Sequence, residues 1–183
     1  MMNLRQLPGC LTGGLFAVTL LLTGCAATVQ RDSPAAPLQV QAASTQRVLL
    51  SVTASPETRA APGWADLLQE WKNSMQWAAN NAKVSYSFHE GSAKPAAQPG
   101  TWVNVQVKEF RFVSTAKRWM IGVFSGNASI VTDVSFVDLQ DGRDLGTRKF
   151  SSSSSALQGA FSAMTERQLE VISTAIVKDV SGR

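Results

Sequence analysis

The chain has 183 residues, with 17 Lys and Arg against 13 Asp and Glu for a net charge of +4, a single His and two Cys. The basic excess is mild and scattered, without the clustered stripe that a nucleic-acid surface needs, so no nucleic-acid partner is expected. One histidine and two cysteines supply no ligand set for a metal centre and no pattern such as H-E-x-x-H is present, so no metal, no cofactor and no catalytic residue is expected.

Arg5 precedes an apolar run, Leu11 to Leu22, of about twelve residues. A bilayer core of about 30 Å needs roughly 20, so residues 1–24 read as a secretory signal peptide rather than a membrane span. Leu22, Thr23, Gly24 and Cys25 resemble the bacterial lipobox, in which an aliphatic residue and two small ones precede the cysteine that receives diacylglycerol. Small side chains fit the peptidase cleft, and the thiol is the nucleophile that takes the lipid. The alternative is an ordinary signal followed by a free cysteine. Cys25 is the expected lipid-attachment site, and two or three acyl chains hold a protein on a membrane where one does not. Cys10 leaves with the signal and Cys25 is blocked, so stability must come from the core rather than a disulfide.

Residues 26–44, rich in Ala, Pro, Gln and Ser and without periodicity, read as a flexible tether with an end-to-end distance of about 25 Å. The predicted organisation is a lipidated N-terminus and tether over 25–44 and one domain over 45–183. Residues 46–53 form a β-branched, leucine-rich strand that stops at the sequence SPETRAAPG. Trp64, Leu67, Leu68, Trp71, Met75 and Ala78 recur at helical spacing and predict a helix over 63–81. A strand over 83–88 and a Pro- and Gly-rich loop over 89–100 follow. In residues 101–113, Val103, Val105 and Val107 alternate before the apolar phase slips to Phe110 and Phe112, which predicts a bulge near Lys108 and Glu109. Residues 128–139 read as its antiparallel partner, and the Asp-Gly pair of 140–143 as a hairpin turn into a strand over 144–151. A helix over 156–180 closes the chain on a stripe of Leu157, Phe161, Met164, Leu169, Ile172, Ile176 and Val180. The expected fold is α+β, a two-layer sandwich of a mostly antiparallel sheet of about five strands with two helices on it. The first strand is free to pair in parallel through its helix.

His89 reads as a solvated loop residue, and Asp138, Asp141 and Asp144 as turn residues, since a calcium loop needs a closing glutamate they lack. The serines of 151–155 read as caps for the last helix, with anion binding as the alternative. The segment K-R-W-M-I-G-V-F-S-G-N-A, 117–128, connects the two long strands. Its apolar content leaves three readings: core beneath the last helix, membrane contact, or an interface. In the last, Trp119 and Phe124 anchor, Arg118 makes the polar contact, and Gly122 and Gly126 allow close approach.

That segment from Arg118 onward, followed by D-L-Q-D-G-R-x-L-G and a C-terminal helix, resembles the bacterial lipoproteins of the domain-of-unknown-function 4410 family, over roughly residues 101–180. The resemblance implies a periplasm-facing outer-membrane lipoprotein without catalytic residues. Ala26, rather than Asp, fits the enterobacterial sorting pattern for the outer membrane. The expected function is a non-enzymatic envelope lipoprotein, anchored through Cys25, whose domain binds envelope proteins or copies of itself as a homo-oligomer. The alternative is a small-ligand module for a lipid or glycan, using a cleft near Trp64, Trp71 or Trp102.

Overall fold

The computed structural model describes residues 29–31, 36–91, 94–111, 128–153 and 164–182, with side chains of the last helix described from Glu166. The signal peptide, the lipobox Leu22 to Cys25 and the candidate interface residues Arg118, Trp119, Gly122, Phe124 and Gly126 lie outside the described residues.

The strands are β1 (Val29–Arg31), β2 (Arg47–Ala54), β3 (Ser85–Phe88), β4 (Thr101–Arg111), β5 (Ser129–Asp138) and β6 (Asp144–Ser153). The helices are α1 (Pro56–Ala60), α2 (Trp64–Ala82) and α3 (Met164–Ser181), and a short 3-10 turn covers Ala42–Ser44. The sheet order is β1-β6-β5-β4-β2-β3. β2 is parallel to both β3 and β4, whereas β4–β5, β5–β6 and β6–β1 are antiparallel. The expected α+β fold is present and three of its five strand pairings are antiparallel, as expected; the count of about five strands and two helices is corrected to six strands and three helices among the described residues, and the sheet is mixed. The physical reason is chain return. α2 carries the chain back to the start of β2, so β3 must run parallel to it, and residues 89–100 repeat that return for β4.

Each long element follows from its pattern. α2 buries Leu67, Trp71, Met75 and Ala78 of the predicted stripe and half-buries Trp64 and Leu68, and α3 buries Leu169, Ile172, Ile176 and Val180, while Leu157 and Phe161 lie outside the described residues. Both stripes join one core with Val48 and Leu50 of β2, Val103, Val105 and Val107 of β4, and Ile130, Val134 and Phe136 of β5. The register of β4 on β5 slips between Val107 and Glu109, as the phase change predicts. Lys108 is the extra residue, and its insertion returns Phe110 to the core face opposite Ile130. α2 ends at Lys83, whose φ of 56° is left-handed, and Val84 N–H bonds Ala79 O at 2.9 Å. Residues 83 and 84 therefore cap the helix, and β3 begins two residues later than the alternation suggests.

Two further corrections concern polar stretches. Ser55 stands before Pro56 and accepts a hydrogen bond from Thr58 N–H at 3.1 Å, so the expected strand terminator is also the start of α1. Ser151 to Ser153 extend β6 and pair with β1 and β5, rather than capping the last helix.

The expected tether also lies in part on the domain. Val29–Arg31 pairs with Phe150–Ser152, and Val29 and Leu38 pack on the core cluster. Arg148, 7% exposed, donates through Nη2 to Ala36 O at 2.6 Å and places Nε 3.5 Å from Asp179 Oδ2 on α3. Arg31 pairs with the same carboxylate and lies over the Phe150 ring. Further along, Ser44 Oγ donates to the buried Asp138 carboxylate at 3.1 Å, and Thr101 Oγ1 donates to Ser44 O at 3.1 Å. Composition could not show this, because several of these contacts use backbone carbonyls that every residue carries.

Candidate functional site

β2 and β3 are adjacent parallel strands whose outgoing connections leave toward opposite faces of the sheet. From β2 the chain turns through α1 into α2 on the helix-covered face. From β3 it turns to the open face, where the His89 ring meets Trp102 edge-on at 6.5 Å and residues 94–97 line a small cleft of about 120 Å³ with Trp102 and Val137. Where neighbouring parallel strands diverge in this way, the two exits splay and leave a crevice outside the carboxyl ends of the strands.

The crevice is present here, with a volume of about 560 Å³. Val52, Thr53 and Ala54 form its floor, Arg59, Trp64 and Leu68 one wall, and Phe88, Glu90 and Gly91 the other. Trp64 is set by the turn before it, where Gly63 takes a φ of 89° that L side chains rarely adopt. The indole then packs on Phe110 at a centroid separation of 5.9 Å. Lys72 sits over the Phe88 ring at 4.3 Å and 3.9 Å from Glu90. The Thr53 hydroxyl is within 3.4 Å of Asn104 Oδ1 and Val105 O. The Arg59 guanidinium has no hydrogen bond or ion pair to another described residue. The site is thus an aromatic and aliphatic slot with one uncommitted cation at its mouth, an arrangement suited to binding.

Of the three tryptophans named as cleft candidates, only Trp64 lines this crevice. Trp71 is fully buried and closes the core under α2, and Trp102 donates from Nε1 to Ser51 Oγ at 2.8 Å over the small cleft. Arg59, Phe88 and Glu90 escaped the sequence reading. The Ser-Pro-Glu helix start at 55–57 could have placed Arg59 on a helix, but nothing local brings it to β3.

A second surface was also missed. Trp77 is 51% exposed on the outer side of α2, one residue away from the buried stripe. Beside it a groove of about 290 Å³ runs between the last turns of α2 and α3, lined by Ala78, Ala82, Val177 and the stem of Lys178. A tryptophan off the apolar phase of a helix is the signal that could have identified it.

His89 is not a free loop side chain but is packed on Trp102, and its backbone N–H donates to Leu50 O at 2.8 Å. The three aspartates of the hairpin act as turn residues, as expected. Asp138, Asp141 and Asp144 accept from the N–H groups of Gln140, Arg143 and Gly146 at 2.8 to 2.9 Å. Among the described residues no three His, Cys, Asp or Glu gather as metal ligands, and no helix is long and apolar enough to cross a membrane.

The fold is an α+β domain with a mixed sheet whose core is covered by helices. Residues 83–160 match the model of the family described as a domain of unknown function (DUF4410), the family to which the sequence resemblance pointed. Among solved structures, the PelC dodecamer from Paraburkholderia phytofirmans is similar at a TM-score of 0.50 and 10% identity, over 86% of this chain and 99% of that one. Protein XCC0632 from Xanthomonas campestris, of the DUF330 family, gives a TM-score of 0.46 and 16% identity over 86% of this chain and 95% of that one. At 10% identity the likeness to the PelC structure is one of fold alone. No curated protein matches the sequence.

Proposed function

We propose that the protein is a non-enzymatic envelope lipoprotein, anchored through Cys25 to the periplasmic side of the outer membrane, whose single domain assembles with copies of itself or with an envelope partner. The observation that carries the assembly part is Trp77. A half-exposed indole beside an apolar groove loses apolar surface to water until something covers it, and Trp is among the residues that dominate interface energies. The occupant proposed is a second copy, which brings the same indole and groove to the contact. The dodecameric state named for the PelC structure supports this reading, because a similar fold there occurs in an assembly of many copies. The non-enzymatic part rests on the single histidine and on a mature chain without a free thiol.

The test places a photo-crosslinking amino acid at position 77 in living cells, with Gln69, exposed on the same helix, as the control site. An adduct at twice the subunit mass from 77 and not from 69 supports self-assembly, and an adduct of another mass supports a partner protein. Absence of any adduct from 77 contradicts the assembly reading. A second reading, a module for a small ligand such as a lipid or glycan, is favoured by the crevice between Trp64 and Phe88.

A further inference from the structure

The crevice discriminates between ligand classes by what its polar groups are already doing. A sugar presents hydroxyls on most of its carbons and needs several free donors and acceptors around it. Here Thr53 lies against Asn104 and the backbone of β4, and Glu90 faces Lys72. Of the two charged groups of the lining, Arg59 has no hydrogen bond or ion pair to another described residue, and Val52, Ala54, Trp64, Leu68 and Phe88 make the lining largely apolar. Arg59 and Lys72 together exceed Glu90 by one positive charge. A guanidinium presents paired N–H donors that match a carboxylate or phosphate, and an apolar slot behind it suits a hydrocarbon chain.

The position of the crevice agrees. Ala54 at the end of β2 is level with Val107, close to the end of β4 at Arg111, and Arg111 is opposite Ser129, which is opposite Ser153. Val29 pairs with Ser152 at that same strand end. Three residues separate Val29 from Cys25, and the four residue steps reach at most about 14 Å. The crevice therefore opens at the end of the sheet from which the proposed anchor leaves.

We propose that the crevice binds an amphipathic anion, with its hydrocarbon part between Trp64, Leu68 and Phe88 and its acidic head on Arg59. This rests on the small-ligand reading and gives it a chemical class. The shared chemistry is an acyl chain with a carboxylate or phosphate head, whether it comes from a free amphiphile or from a lipid of the bilayer.

The test uses the full chain in phosphatidylcholine nanodiscs, titrated by calorimetry with octanoate, with octanol and with inorganic phosphate against empty discs. Saturable binding of octanoate, but not of octanol or phosphate, is expected. Arg59→Gln, an exposed substitution that leaves the core intact, should weaken it about tenfold, the loss of one charge-assisted contact. Arg111→Gln, outside the crevice at the same sheet end, should leave it unchanged and so excludes a general charge effect. Octanoate and octanol binding equally, or Arg59→Gln matching the parent, overturns the anionic assignment while leaving a ligand site. No binding of any probe above the empty discs overturns the ligand reading as well. Phosphatidylglycerol added to the discs distinguishes the sources: competition with octanoate that depends on Arg59 assigns the occupant to the bilayer, and undiminished octanoate binding assigns it to a free amphiphile.

Discussion

Tyr86 is the only tyrosine in the chain, and its phenol oxygen is buried on β3 without a hydrogen-bond partner among the described residues. Burial disfavours the phenolate and pushes its pKa from 10.0 up to about 12. The folded state therefore keeps a proton that the unfolded chain releases. Stability is level with respect to this group below pH 10 and falls as pH rises from 10 to about 12. Ultraviolet titration of the folded protein should show one phenol ionising near the upper value, and Tyr86→Phe should remove that fall from the denaturation profile. An ionisation at the ordinary value would place Tyr86 in water. The sequence shows Tyr86 only as one position in an alternating stretch, and its depth comes from α2 folding back over β3.

The N-terminal arm is the element the sequence conceals most. Residues 29–31 and 36–44 carry no pattern of their own, yet they are held by Arg148, Arg31, Asp179 and Asp138. Arg148 is buried, and deleting it leaves the Ala36 carbonyl without its donor and Asp179 with Arg31 as its remaining partner. Arg148→Ala should therefore cost about 3 kcal/mol in chemical denaturation. Amide exchange should accelerate at 29–31 and 36–44 while the amides of α2 stay protected. Uniform acceleration across the fold would mean that the arm is not a separable clamp. By contrast, α2, the bulge in β4, the β4–β5 pairing and the Asp-Gly hairpin were legible, because each depends on local periodicity or turn chemistry. The parallel placement of β4 was not, because it depends on the path that 89–100 takes across the open face.

At the scale of the whole molecule, the features with functional content are surfaces made by elements distant in sequence. Trp64 was recognisable as a cleft candidate, but the crevice forms only when β2 and β3 send their exits to opposite faces. Trp77 becomes significant only when α3 lies beside α2 to make the adjoining groove. Native mass spectrometry of the protein extracted from membranes in detergent tests at once the proposed anchoring at Cys25 and the proposed assembly of the domain. The expected result is a subunit with the mass of residues 25–183 plus acyl chains, in a complex of several copies that dissociates when Trp77 is replaced by Ser. An unlipidated monomer whose mass is unaffected by Trp77→Ser would contradict it.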